Sequence, residues 1–260
     1  MSPSWSSRPL IRVHLAADAL MACEVHAQRN SRRLVRKARF PFAAPGERLA
    51  AMRSMSEWVG DTPRGTVQEW VLGIADVRYL LLPWAPDLAD GALRSAFAMA
   101  SFEQQFKQDP SLYAVRFAKP AYGRAQLAAF VPHSLLAQLD AHADASKVRL
   151  RSVAPGLVVV WDRFHTMLQK ESGVVHVVEG ARQIVVRHAK GQMTHVLLRP
   201  FDTARQEVAP WRGEPGGGVR VFSASSVPYA CAEAALPLAD GDGFLSKQDT
   251  AYAFALCGVF

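Results

Sequence analysis

The feature that most restricts the fold is a set of three short apolar segments that opens the chain and recurs beyond residue 171. Leu10 to Leu15, Leu20 to His26 and Leu34 to Phe42 read as consecutive strands. The third alternates Leu34, Arg36, Ala38 and Phe40 against Val35, Lys37 and Arg39. Short polar breaks between such segments make an antiparallel meander. The same form returns at Val174 to Val178, Gln183 to His188 and Met193 to Arg199, with Gly180 and Gly191 where the hairpins turn.

Between the meanders the period changes. Gly46 to Val59 carries Leu49, Met52, Met55 and Trp58 at helical spacing. Thr66 to Leu72 and Arg78 to Pro83 read as strands, the second a continuous apolar run suited to burial on both faces. Leu88 to Lys107 is the long helix, with Leu93, Phe97, Ala100 and Phe106 as its core stripe. Strands Leu112 to Ala118 and Gln126 to Val131, helix Pro132 to Ala143, strand Val148 to Val153 and helix Pro155 to Leu168 complete the first part. After the second meander come a polar segment, Asp202 to Glu207, and a glycine-rich connection, Gly213 to Gly218. Strand Val219 to Ala224 and a closing helix, Asp249 to Cys257, end the chain. Helices alternating with strands exclude an all-β protein. A meander followed by helices and strands, occurring twice, is a duplicated α/β unit, divided at about 1–170 and 171–260. The first unit carries inserted strands and helices and the second is abbreviated.

Half of the 260 residues are hydrophobic, enough for a proper core. No run approaches the roughly 20 apolar residues of a membrane-spanning helix, and the opening residues lack a signal-peptide stretch, so a cytosolic protein is expected. Cys23, Cys231 and Cys257 show no metal-site spacing and sit in apolar segments, which suits a reducing compartment. The net charge of +7 is uneven: Arg29, Arg32, Arg33, Arg36, Lys37 and Arg39 form a candidate basic interaction patch. Such a surface favours acidic partners, anionic lipid headgroups or nucleic acid, or simply solvates an exposed hairpin. Nucleic acid is not expected, because no aromatic side chains interleave the cluster to stack on bases.

The element order, the segment Leu80, Leu81, Leu82, Pro83, Trp84 ahead of the long helix, and the two meanders together resemble the actin-like, ribonuclease H-like proteins of type IV pilus and type II secretion assembly. These include the cytoplasmic domain of the secretion platform protein. The resemblance implies duplicated actin-like subdomains and, in nucleotide-binding members, two phosphate turns and an adenosine turn. At the first turn His14 falls at the position of an Asp, Ala16 at a Gly and Met21 at a Lys, while Asp18 is displaced by several residues. At the second, Gly180 is retained, Val178 takes the Asp position and Glu179 falls on the opposite face of the strand. At the third, Ala224, Ser225 and Ser226 replace paired glycines, and each Cβ crowds a base. Three departures argue against bound ATP or Mg, and no cofactor is expected.

Other chemistry finds no complete set. His176, His188 and His195 lie on successive strands of one meander, but no His pair has zinc spacing and no metal is expected. Asp162 and His165 are one helical turn apart without a nucleophile. Gly216 to Gly218 lacks the Lys and helix of a phosphate loop. A ribonuclease H-like nuclease would need acidic residues at strand ends to hold two metals, where the first strand offers His14. Trp70 and Trp84 are interface candidates, although tryptophan in such strands is more often core. The expectation is therefore a non-catalytic, pseudo-ATPase scaffold binding protein components of a pilus or secretion platform at the inner face of the membrane, with membrane attachment through a partner. The alternatives are an actin-like ATPase of the same machinery and a basic nucleic-acid-binding protein.

Overall fold

The computed structural model describes residues 9–28, 31–60, 62, 65–201, 218–224 and 235–260. The opening meander forms as its alternation requires. Strands β1 (Leu10–Leu15), β2 (Ala19–Ala27) and β3 (Arg32–Pro41) pair antiparallel in succession, with Leu15 opposite Leu20 and Ala19 opposite Pro41. Helix α1 (Arg48–Gly60) then supplies the crossover that a parallel neighbour demands. It buries Ala51, Met55 and Val59 at i, i+4 and i+8, while Leu49 lies outside that stripe, half exposed. Strand β4 (Val67–Leu72) pairs parallel with β1, setting Leu72 beside Leu15, and β8 (Arg149–Pro155) adds parallel to β4. The sheet order is β3-β2-β1-β4-β8, and β1, at its centre, is buried at all six residues.

The second half repeats the arrangement. Strands β9 (Ser172–Glu179), β10 (Arg182–Ala189) and β11 (Gln192–Pro200) form an antiparallel meander, and β12 (Gly218–Ser223) pairs parallel with β9. The order β11-β10-β9-β12 matches the first four strands of the other sheet, so the duplication inferred from the pattern is present in the pairing.

Between β4 and β8 the chain inserts a small layer of its own. Strands β5 (Arg78–Leu82), β6 (Tyr113–Phe117) and β7 (Gln126–Pro132) form an antiparallel sheet ordered β5-β7-β6, crossed by α2 (Gly91–Phe106). Asp90 caps α2, accepting from the Ala92 and Leu93 amides. The stripe expected on this helix is corrected: Ala98 and Phe102 are buried, whereas Leu93 and Phe97 are exposed. A helix over three short strands has room to bury one i, i+4 row, and here Phe102 fills it against Phe130. Strand β5 is buried on both faces as its continuous apolar run implies, with Leu80 and Leu82 in this small core and Tyr79 in the main one.

After α3 (His133–Ala145) and β8, helix α4 (Gly156–Leu168) runs from the first half to β9. The closing helix is shorter than expected: a 3-10 turn, Thr250–Tyr252, leads into α5 (Ala253–Leu256). The Asp249 carboxylate, which accepts from the Leu245 amide and pairs with Lys37, fixes the tight entry, and Cys257 returns to extended backbone. All four α5 residues are buried against β1, β2, β4 and α4, so the end of the chain packs on the first half. One hydrophobic core, containing Ile11, Val13, Val177, Phe222 and Phe254, continues through both halves.

Candidate functional site

The two meanders bring their first hairpin turns to a common cleft. Beyond Leu15 the β1–β2 turn closes on itself, the Ala16 amide donating to the Ala19 carbonyl at 2.9 Å, which leaves the Ala17 amide pointing outward. Beside it, β4 ends at Leu72, and the Gly73 amide donates to the Leu15 carbonyl at 2.9 Å before the chain enters the 3-10 turn Ile74–Asp76. The second half supplies Glu179, the last residue of β9. Its Oε1 accepts from the Ala17 amide at 3.0 Å and its Oε2 from the Ile74 amide at 2.8 Å. Glu179 is 6% exposed and His14 1%; the imidazole Nε2 stands 3.6 Å from Oε2, and its ring stacks on Phe254 with centroids 4.6 Å apart.

Two glycines make the approach geometrically feasible. A Cβ at Gly73 would sit 2.5 Å from Glu179 Oε1 and closer still to the Leu15 carbonyl oxygen. Gly180 takes the left-handed φ of +55° that a two-residue turn after Glu179 needs. Burial opposes ionisation of Glu179, but the neighbouring His14 and the Ile74 and Ala17 amides outweigh it and hold the carboxyl below its ordinary value. Hydrogen bonds to a charged group contribute about 1.5 to 3 kcal/mol each, so this carboxylate is a strong tie between the halves. Chemically it is an acceptor whose oxygens are already taken by amides.

The residues singled out from the sequence separate into two sets. His14, Ala16, Glu179 and Gly180 meet at the cleft. Asp18 does not: it is exposed and pairs with Arg39 at 2.8 Å. Met21, at the expected Lys position, is buried. The placement of Glu179 on the face away from the cleft is overturned. Val178 is the residue that faces away, packing with Phe201 and Val221, while Glu179 follows Val175 and Val177 toward the main core. A one-residue shift in reading β9 exchanges its faces. Ser225 and Ser226 lie outside the described residues, and Ala224 packs against the main core. The amides of Ala17 and Ile74 went unnoticed in the sequence, since a backbone donor has no side-chain signature; Gly73 directly after a buried strand was the available signal.

The basic hairpin is largely paired. Arg33 meets Asp242 at 3.8 Å, Arg36 meets Glu24 and lies over the Trp58 ring at 4.1 Å, Lys37 meets Asp249 and Arg39 meets Asp18. Arg32 is exposed, and Arg29 lies outside the described residues. His176 bonds Gln183 at 2.9 Å, His188 lies edge-on to Trp161 and His195 is exposed on β11, so the three do not converge. Among the described residues no group of three or more His, Cys, Asp or Glu is placed to hold a metal ion. Asp162 and Trp161 border a 200 Å³ cavity with Leu81, Lys119 and Met193, without a Ser, Thr or Cys among its lining residues. Trp70 is fully buried and donates to Gln68, whereas Trp84 is partly exposed against Tyr122. Cys23 and Cys257 are buried free thiols; Cys231, Asp202 to Glu207 and Gly213 to Gly217 lie outside the described residues. Among the described residues no helix is long and apolar enough to cross a membrane.

No protein-family model matches the sequence, and no curated protein matches it. Solved structures do. The cytoplasmic domain of EpsL, an inner membrane component of the type II secretion system of Vibrio cholerae, gives a TM-score of 0.51 at 13% identity, covering 74% of this chain and 71% of that one. A chain of the PilM–PilN type IV pilus biogenesis complex gives 0.52 at 16% identity, covering 76% of this chain and 63% of that one. A Bacteroides thetaiotaomicron protein of unknown function with an actin-like ATPase fold gives 0.52 at 8% identity, over 79% and 76%. The fold is actin-like. In this actin-like chain the cleft between the duplicated halves, where the resemblance puts the phosphate turns, is bridged by the Glu179 carboxylate.

Proposed function

We propose that this chain is a non-catalytic actin-like scaffold that docks onto protein components of a type IV pilus or type II secretion assembly at the cytoplasmic face of the inner membrane. The observation that carries the reading is the Glu179 carboxylate seated on the Ala17 and Ile74 amides. A nucleotide phosphate brought to the same amides would face a buried negative charge at contact distance, and like charges at that range repel strongly in a low dielectric. The departures at His14, Ala16 and Met21 remove the carboxylate, the small turn residue and the cation that the resemblance calls for. With no nucleotide to turn over, what remains is a two-part body, joined by a continuous core and the Glu179 bridge, suited to binding proteins. The likeness in fold to the EpsL cytoplasmic domain and to a chain of the PilM–PilN complex supports a place in such machinery, with attachment to the membrane through a partner. Pairing of the hairpin charges with Glu24, Asp18, Asp242 and Asp249 reduces what the surface offers to nucleic acid.

The test has two arms. Purified protein is assayed for ATP hydrolysis with magnesium, where the expected rate equals that of the buffer. The cytoplasmic segments of pilus or secretion platform proteins from the same genome are then titrated against it by calorimetry, where saturable binding is expected. Hydrolysis above background, or no binding to any such segment, overturns the proposal.

A further inference from the structure

We infer that Glu179 is an internal ligand: its carboxylate fills, from within the chain, an anion cradle formed by the Ala17 and Ile74 amides and His14, and thereby clasps the two halves shut. The cradle is assembled from three connections of the first half, the end of β1, the β1–β2 turn and the loop after β4, and its occupant comes from the second. Its two amide donors converge on different oxygens of one carboxylate, which is how a bidentate oxyanion is held. His14 is buried on the same spot with Nε2 3.6 Å from Glu179 Oε2, and neither of its ring nitrogens has a hydrogen-bond partner of its own, so its polar edge lines the cradle beside the two amides. Gly73 provides the clearance, because any side chain there would displace the carboxylate. Attachment in the same chain gives the carboxylate a high effective concentration, so free anions do not displace it. The inference rests on the same reading of the cleft as the scaffold proposal.

Chemical rescue tests it. Glu179→Ala removes the occupant and leaves the buried Ile74 amide and the part-buried Ala17 amide without their acceptor, which lowers the melting temperature by about 10 °C in sodium chloride at neutral pH. Sodium acetate at equal ionic strength refills the cradle and raises that variant by about 3 °C in a saturable way, as a ligand of the folded state must. Wild type melts at the same temperature in both salts. An acetate response of Glu179→Ala no larger than that of wild type overturns the inference, as does a variant as stable as wild type. If Glu179→Ala yields no folded protein, Glu179→Gln serves. It keeps the volume but turns an amide donor toward a backbone donor, so it melts below wild type and ignores acetate; a Gln variant that melts with wild type is the contrary result. Stabilisation of wild type by MgATP would sink the scaffold reading, whereas a missing acetate rescue alone would sink only the clasp.

Discussion

The two hairpin turns that meet in the cleft have the same topological place in their halves and opposite chemical roles. The β1–β2 turn spans four residues and contributes a backbone donor, Ala17, while its carboxylate, Asp18, points to solvent and pairs with Arg39. The β9–β10 turn needs two residues, Gly180 and Ala181, and contributes an acceptor, Glu179, from the strand end just before it. A duplicated element has thus become donor on one side and acceptor on the other. Two like turns leave a gap for a third party; a donor facing an acceptor closes the gap.

Substitutions in the two turns break or sharpen this contrast. The largest effect belongs to Glu179→Ala, expected to cost about 3 to 5 kcal/mol in a urea titration, since it removes two charged hydrogen bonds and orphans their donors. Gly73→Ala follows at about 3 kcal/mol, because its Cβ meets both the Leu15 carbonyl and the Glu179 carboxylate. A Gly73→Ala protein as stable as wild type would mean that the cleft is looser than described.

Acid sensitivity divides the molecule in a different way. His142, buried between Ser56, Gln68 and Trp70, is pushed down to about 4 by desolvation. Its folded value lies below the ordinary 6.5, so the unfolded chain binds more protons between these values, and stability falls as pH drops from about 6.5 to 4. His176 and His188 in the second half are lowered for the same reason and act in the same direction. Glu179 adds a further loss below its ordinary 4.5, where its depressed folded value is reached and the unfolded chain is already protonated. His142→Gln should flatten the first window by about 2 kcal/mol, and Glu179→Gln should flatten only the second; unfolding midpoints measured from pH 7 to 3 separate them. The smallest effect is Asp18→Ala, about 0.5 kcal/mol or less, because its pair with Arg39 is solvent-exposed. Equal costs for Asp18→Ala and Glu179→Ala would erase the distinction between the turns.

The sequence carried the two meanders and their interruptions to within two residues at each strand end, because period-two alternation and turn glycines are local properties. It grouped His14, Ala16, Asp18, Glu179, Gly180 and Ser225 as degenerate nucleotide-site positions, of which Asp18 pairs with Arg39 elsewhere and Ser225 lies outside the described residues. It misassigned the direction of Glu179, since the face of a strand is fixed by pairing register, and a shift of one residue at Val178 reverses it. The exposure of Leu93 and Phe97 was equally hidden: helical spacing shows that a stripe exists, while the width of the small sheet beneath decides how much of it is covered. The role of Ile74 could not be read at all, because its contribution is a main-chain amide positioned by the meeting of β1 and β4.

The most direct test of a cleft filled by the chain itself is the melting temperature of the wild-type protein with and without millimolar MgATP. No shift is expected, because the amides that would receive a phosphate already hold Glu179. A rise of several degrees would show that nucleotide displaces the carboxylate, and would return the protein to the actin-like ATPases.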